Sequence, residues 1–245
     1  FGQCADMEAI LPIAKKHGLS VIEDAAQAIG STYGCQCSEV NFSCKKECYF
    51  AGQKGTVGCF SFFPSKNLGA CGDAGIVTTS DESLYNKMKQ MRMHGETSRY
   101  KHQFVGGNFR IDALQAAILL VKLPHLDHQH QGRIRNANFY NDHLDPRIER
   151  PYIMPNRRMI YNQYTIRVKN RDAVMEALKD AQIGHAVYYP LPLHLQECFS
   201  YLGAKSGDFP EAEKAGNEVL SIPVFPELTE SELKYVVDVL NNCAI

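Results

Sequence analysis

Between residues 6 and 17, DMEAILPIAKKH sets Met7, Ile10, Leu11 and Ile13 at roughly helical spacing, and Gly18 closes the segment before the apolar run LSVI. The pattern predicts helix, turn and a strand that ends at Ile22. TVGCFSFF at 56–63 and GIVTTS at 75–80 read as two further strands. In DESLYNKMKQMRMHG, Leu84, Met88 and Met91 recur at helical spacing, while Thr79 and Glu82 have the spacing of a capping box. A second amphipathic helix, IDALQAAILLVKL, follows. Strands alternating with helices predict an α/β layered domain.

From about residue 150 the rhythm changes. YNQYTIRV reads as a strand, RDAVMEALKDAQI as a helix ending at Gly184, and HAVYYP as a strand halted by Pro190. The closing helix, TESELKYVVDVLNN, opens with Thr229 and Glu232 in capping-box spacing and lines Leu233, Val236, Val237 and Leu240 along one side. The expected organisation is a larger α/β domain over 1–149 and a smaller one over 150–245.

Composition changes the picture mainly by exclusion. With 245 residues, 44% hydrophobic and 22% charged, the chain has the make-up of a globular protein with a sizeable core. Its 26 basic and 27 acidic residues leave a formal net charge of -1, which gives no electrostatic footprint for nucleic acid or an anionic membrane. No apolar run is long enough to span a bilayer, and FGQCADMEAI lacks the pattern of a signal peptide, so a cytoplasmic setting and a small polar substrate are expected.

Of nine cysteines, Cys35, Cys37, Cys44 and Cys48 crowd into GCQCSEVNFSCKKEC. The density is that of a small metal site, but the C-x-C and C-x-x-x-C spacings differ from the common C-x-x-C zinc knuckle. An exposed insertion over about 35–50 with reduced thiols is the expected state, and no metal is assigned.

Open α/β sheets build their sites where strands end. In SVIEDAAQAIG the polar residues Glu23, Asp24 and Gln27 follow the apolar run directly, so one carboxylate is expected to face a crevice, with helix or turn capping the alternative for Asp24. In SFFPSKNLG, Lys66 stands at the mouth of an aromatic run before the glycine-rich ACGDAG. A lysine in such a place is either a solvated loop residue or a chemical one.

The strings VIEDAAQAIGSTYG, FSFFPSKNLGACGDAG, MRMHGETSRYKHQFVGGNFRIDALQAAILLVKLPHLD and YYPLPLHLQECFSYLGAKSGDFPEAEKAGNEVLSIPVFPELT resemble the DegT/DnrJ/EryC1/StrS family. The resemblance covers the chain apart from the cysteine-rich insertion. It implies an α/β fold of type I, shared with pyridoxal 5'-phosphate (PLP) dependent transferases such as aspartate aminotransferase. It also implies aminotransferase activity on a nucleotide-linked keto sugar. The chain lacks an initial methionine and resembles the middle of a longer member, so it is expected to hold only part of the large domain. Such a fragment is expected to bind cofactor poorly by itself.

By this resemblance, Lys66 is the Schiff-base lysine, which also serves as the proton-transfer base, a combination suited to a partly desolvated amine. Asp24 is the partner of the pyridine nitrogen, and Gln27 packs or hydrogen-bonds against the ring face or its hydroxyl. Ser61 is a phosphate contact. Asn108 and Arg110, in GGNFR, match a loop that reaches the neighbouring subunit's site, Asn108 toward phosphate and Arg110 toward substrate. A homodimer with composite active sites is thereby implied. Tyr188, Tyr189 and His194, in YYPLPLH, match a segment near the sugar.

Family members that dehydrate sugars carry histidine at the lysine position, so Lys66 favours transamination, with glutamate the implied amino donor. The YYPLPLH and FFPSKNLGACGDAG segments are most similar to the branch that aminates C3 rather than C4. Polysaccharide biosynthesis is the expected setting, with a glycosylated natural product the open alternative. A reading from another class stays open here: a non-catalytic metal-binding or redox-responsive protein working through Cys35, Cys37, Cys44 and Cys48.

Overall fold

The computed structural model describes residues 1–34 and 48–243. In chain order, helix α1 spans Met7–Lys16, followed by strands β1 Ile22–Asp24, β2 Thr32–Tyr33, β3 Tyr49–Phe50, β4 Val57–Ser61 and β5 Gly75–Thr78. Next come α2 Glu82–Met91, β6 Glu96–Ser98, β7 Lys101–His102, α3 Ala113–Lys122, α4 Leu126–His143 and β8 Arg157–Arg158. The remaining elements are β9 Tyr164–Arg167, α5 Arg171–Asp180, α6 Pro210–Glu218, β10 Val219–Ile222 and α7 Glu230–Cys243. These residues form two compact units, the first made of 2–130 and 153–162, the second of Phe1, 131–152 and 163–245.

A sheet of order β1-β4-β5 organises the first unit. β1 runs parallel to β4, with Ile22 opposite Val57 and Asp24 opposite Cys59, and β5 returns antiparallel to β4. The chain from β1 to β4 includes the cysteine-rich insertion, whose flanks are tied together by antiparallel pairing of β2 with β3, while β2 also pairs antiparallel with β8. Cys35, Cys37 and Cys44 lie outside the described residues, whereas Cys48 is half-buried just before β3. Ala25, Ala28 and Ala51 pack into one apolar cluster, and Phe62, Leu68, Ala70, Leu119 and Leu126 into another.

β1 extends beyond Ile22 to include Glu23 and Asp24, because pairing with β4 supplies backbone partners that the polar side chains do not forbid. Glu23 then performs a structural task. Its Oε2 accepts from Gly52 N at 2.9 Å, and its Oε1 accepts from Lys54 N at 2.6 Å and also from Gly55 N. One carboxylate thus satisfies three backbone donors in the loop that feeds β4.

At α2 the cap differs from the sequence expectation. Asp81 is the N-cap, its Oδ1 accepting from Ser83 N at 2.8 Å and Leu84 N at 3.0 Å. Thr79 is engaged elsewhere, donating to Thr56 O at 2.8 Å and accepting from Asp81 N at 3.1 Å. An aspartate one residue before the helix satisfies its first N–H groups directly, which leaves the Thr79–Glu82 box without a function.

The second unit carries the antiparallel pair β9–β10, with Tyr164 opposite Ile222, and a core that includes Ile166, Val174, Leu178, Leu220, Val236 and Leu240. At α7 the expected capping box forms: Thr229 N donates to Glu232 Oε2 at 2.8 Å, and Glu232 N donates to Thr229 Oγ1 at 3.3 Å. HAVYYP is not a strand. Only Ala186 bridges to Ser221, since Pro190 and Pro192 offer no N–H with which a ladder could continue.

The long helix α4 was not marked by hydrophobic periodicity, because many of its polar side chains bind backbone. In the second unit Asn136 Nδ2 donates to Phe225 O at 2.6 Å, Arg135 to Pro226 O at 2.9 Å, and the Tyr140 hydroxyl to Pro223 O at 2.8 Å. Among the described residues no helix is long and apolar enough to cross a membrane.

Replacing Glu23 with alanine strips three backbone donors of a charged acceptor, at a cost of about 3 kcal/mol. Urea unfolding of Glu23→Ala is expected to show a lower midpoint at unchanged slope.

Candidate active site

Parallel pairing puts the ends of β1 and β4 at the same edge of the sheet. Asp24 is the last residue of β1 and Ser61 the last of β4, and the pairing is prolonged by Ala25 N donating to Cys59 O at 2.8 Å. Because side chains alternate along a strand, Glu23 and Asp24 project to opposite faces; Glu23 is committed to the loop before β4, and Asp24 is exposed. Asp24 Oδ1 accepts from Ala26 N at 3.0 Å, and among the described residues no hydrogen bond occupies its second oxygen. Gln27 follows in a turn closed by Ala28 N donating to Ala25 O at 3.0 Å.

Lys66 lies five residues beyond β4, on a turn closed by its own N–H donating to Phe63 O at 2.9 Å. The loop from Phe62 to Ala74 is a closed unit: Phe62 N donates to Ala74 O and Ala70 N to Phe62 O, both at 2.8 Å. Gly69 permits this closure, as a Cβ there would collide with the carbonyl of Pro64 and lie 3.0 Å from that of Phe63. Phe62, Leu68 and Ala70 anchor the loop in the apolar cluster, leaving Lys66 half-buried above it.

Two polar residues of α3 complete this support. Lys122 Nζ donates to Gly69 O, and Gln115 Oε1 accepts from Cys71 N at 2.8 Å. Gln115 and Lys122 are seven apart on α3, hence on one face, which is the periodic signal that could have marked them. Asn67, directly after Lys66, is 7% exposed and hydrogen-bonded to the segment around Ile160.

Asp24, Gln27, Ser61 and Lys66 therefore share one sheet edge in the first unit. The donor set at that edge is a carboxylate, an amide, a hydroxyl and an amine, the complement suited to a ring nitrogen, a ring face, a phosphate and a carbonyl. Asn108 and Arg110 sit on a loop of the same unit beyond the β6–β7 hairpin. Asn108 forms an isolated bridge with Met93, and Arg110 Nη1 approaches Met93 Sδ at 3.8 Å. Both are exposed, and among the described residues no hydrogen bond or ion pair joins them to Asp24, Ser61 or Lys66.

Tyr188, Tyr189 and His194 belong to the second unit. Tyr189 is 63% exposed. His194 Nε2 meets Glu213 Oε1 at 3.0 Å and its ring packs at 4.8 Å from that of Phe209, so this histidine is held by a local network. Glu213 also accepts from Gly207 N at 2.8 Å and from the Ser206 hydroxyl at 3.0 Å. The Gly207 N–H, then the bond from His194, hold the Glu213 carboxyl below its usual range.

The architecture is that of the type I fold of PLP-dependent transferases. A solved structure, S. venezuelae DesV in complex with a ketimine intermediate, superposes with a TM-score of 0.88 at 33% identity, over 97% of this chain and 61% of that one. The profile of the DegT/DnrJ/EryC1/StrS aminotransferase family matches residues 1–241, and the chain belongs to that family. It is 47% identical over 242 residues to a pleiotropic regulatory protein of Geobacillus stearothermophilus, covering 97% of this chain and 62% of the relative. It is 41% identical over 243 residues to the UDP-N-acetyl-3-dehydro-alpha-D-glucosamine 3-aminotransferase of Acidithiobacillus ferrooxidans, covering 99% of this chain and 62% of that enzyme. The chain thus spans less than two thirds of the length of these relatives.

Gln115→Ala removes the acceptor for Cys71 N–H, a loss of about 1 kcal/mol, and is expected to speed hydrogen exchange at that amide roughly fivefold. For Glu213, the folded carboxyl lies below its unfolded value. The stability it contributes is present above the ordinary glutamate range and is lost as pH falls through the folded value. Glu213→Gln is therefore expected to be less stable than the parent at neutral pH, with the difference closing in acid-unfolding curves.

Proposed function

We propose that the protein encoded by the complete reading frame is a PLP-dependent aminotransferase that moves an amino group from glutamate to C3 of a nucleotide-linked keto sugar in the cytoplasm. The observation that carries this reading is that Asp24 ends β1 and Lys66 lies on the loop that directly follows the parallel strand β4, in a chain of this family. When bound, the cofactor supplies an electron-withdrawing ring that makes proton loss at the amine-bearing carbon accessible.

The roles of the chain's own residues follow from their chemistry. Lys66 would hold the cofactor through its Nζ and, once released, carry the proton between the two carbons at which it is lost and gained. Asp24 would keep a proton at the pyridine nitrogen through its second oxygen, and Gln27 would orient the ring. Ser61 would donate its hydroxyl to the phosphate.

Asn108 and Arg110 would reach the site of a second copy, Asn108 at phosphate and Arg110 at substrate. Support for a covering partner comes from the apolar residues beside them: Val105 is 97% exposed and Phe109 71%, an unfavourable state for a surface with no partner. Tyr188, Tyr189 and His194 would line the sugar side, His194 being oriented by Glu213. The C3 preference draws on the similarity to a 3-aminotransferase of a UDP sugar.

Borohydride treatment of the full-length protein supplied with PLP is expected to leave a pyridoxyl-phosphate adduct on the Lys66 peptide, read by mass. An unmodified Lys66 in folded protein would falsify the aminotransferase reading. Given both 3-keto and 4-keto nucleotide sugars, the enzyme is expected to yield the 3-amino product; a 4-amino product would overturn the assigned carbon.

A further inference from the structure

The amine of Lys66 sits at the end of a flexible stem, and its side chain makes no hydrogen bond or ion pair among the described residues. Its approach to any electrophile is therefore set by the backbone beneath it. That backbone has one local tie, Lys66 N–H to Phe63 O. The following residue supplies a second, long-range one.

Asn67 turns a polar amide into the interior, at 7% exposure. A group so buried is costly unless both ends of the amide are satisfied. Here both are: Nδ2 donates to Ile160 O at 3.3 Å, and Oδ1 accepts from Asn162 Nδ2 at 2.8 Å. The receiving segment is itself firm. Ile160 is 0% and Tyr161 2% exposed, and Ile160 N donates to Gly2 O at 2.9 Å. Gly2 passes so close that a Cβ there would lie 2.8 Å from Tyr161 N and 2.9 Å from Asn162 N. The Asn67 amide thus connects the lysine turn to a segment that has little room to move.

We propose that Asn67, acting through its amide pair with Asn162, is a positioning residue for Lys66, fixing the direction from which Nζ meets the cofactor carbonyl. The assignment rests on the aminotransferase reading above. The contacts from Gln115 and Lys122 hold the loop beyond the lysine, at Cys71 and Gly69; the two bonds of Asn67 are directional ties at the residue next to the lysine itself. The neutral amide does this without adding a charge beside the amine, as an aspartate would. Small displacements at the reacting atom are enough to matter, since even about 1 Å of misplacement can cost on the order of a hundredfold in rate.

The test uses full-length protein, PLP, and the neutral variants Asn67→Ser, Asn162→Ser and their combination. The fraction of Lys66 trapped by borohydride is measured by peptide mass across pH, alongside the thermal midpoint of each protein. Each single variant is expected to move the pH midpoint of trapping by about one unit, a tenfold change in equilibrium. The double variant is expected to move it no further than the larger single, because the two residues act as one device. Variants that lose thermal stability yet trap with the parental midpoint would show a purely structural pair and overturn the proposal.

Should Asn67→Ser fail to fold, Asn162→Ser retains the Asn67 bond to Ile160 and is read alone; a parental midpoint there also overturns it. Failure of the parent to form any Lys66 adduct would overturn the cofactor reading and this inference together, an outcome distinct from failure confined to the comparison of variants.

Discussion

The parallel pairing of β1 with β4 is the constraint on which the candidate site depends. Its register, with Asp24 opposite Cys59, brings the two strands to an end at the same edge. It also fixes the division of labour between adjacent carboxylates, because a one-residue slip would exchange the faces of Glu23 and Asp24. Glu23 then could not reach the N–H groups of Gly52, Lys54 and Gly55. The same pairing that leaves Asp24 exposed thus commits Glu23 to structure.

Beyond β4 the chain meets a different problem, which is to present an amine from a loop without letting the loop wander. Backbone bonds close Phe62 to Ala74, apolar side chains anchor the base, and α3 grips the far side through Gln115 and Lys122. Asn67 adds a buried polar tie. Apolar burial holds the loop down but is indifferent to direction, whereas hydrogen bonds have angular preference, so orientation falls to the polar contacts.

Much of the fold was legible because amphipathic spacing carries its own burial instruction. α1, α2, α3, α5 and α7 each appear where helical spacing predicts, and the Thr229–Glu232 box forms as written. The departures have separate causes. α4 was missed because buried positions such as Asn136 and Tyr140 carry polar atoms that bond to the backbone of 223–226, so its buried side is not spelled in purely apolar residues. The cap of α2 shifted because Asp81 was nearer than Thr79 to the free N–H groups. HAVYYP lost its strand to neighbouring prolines.

By itself, the sequence determined the candidate chemistry: an amine at Lys66, a carboxylate at Asp24 and a hydroxyl at Ser61, in motifs local enough to be read as strings. It also determined family membership, which depends on those strings. Only the tertiary structure decided which carboxylate was free, what held Lys66's loop, and that His194 meets Glu213. The physical reason is range. Spacing along the chain reports contacts within a turn of helix or along a strand, but Asn67 and Asn162 are 95 residues apart. Nothing in either one's immediate sequence names the other; the pairing exists only once both are buried and each amide must find a partner.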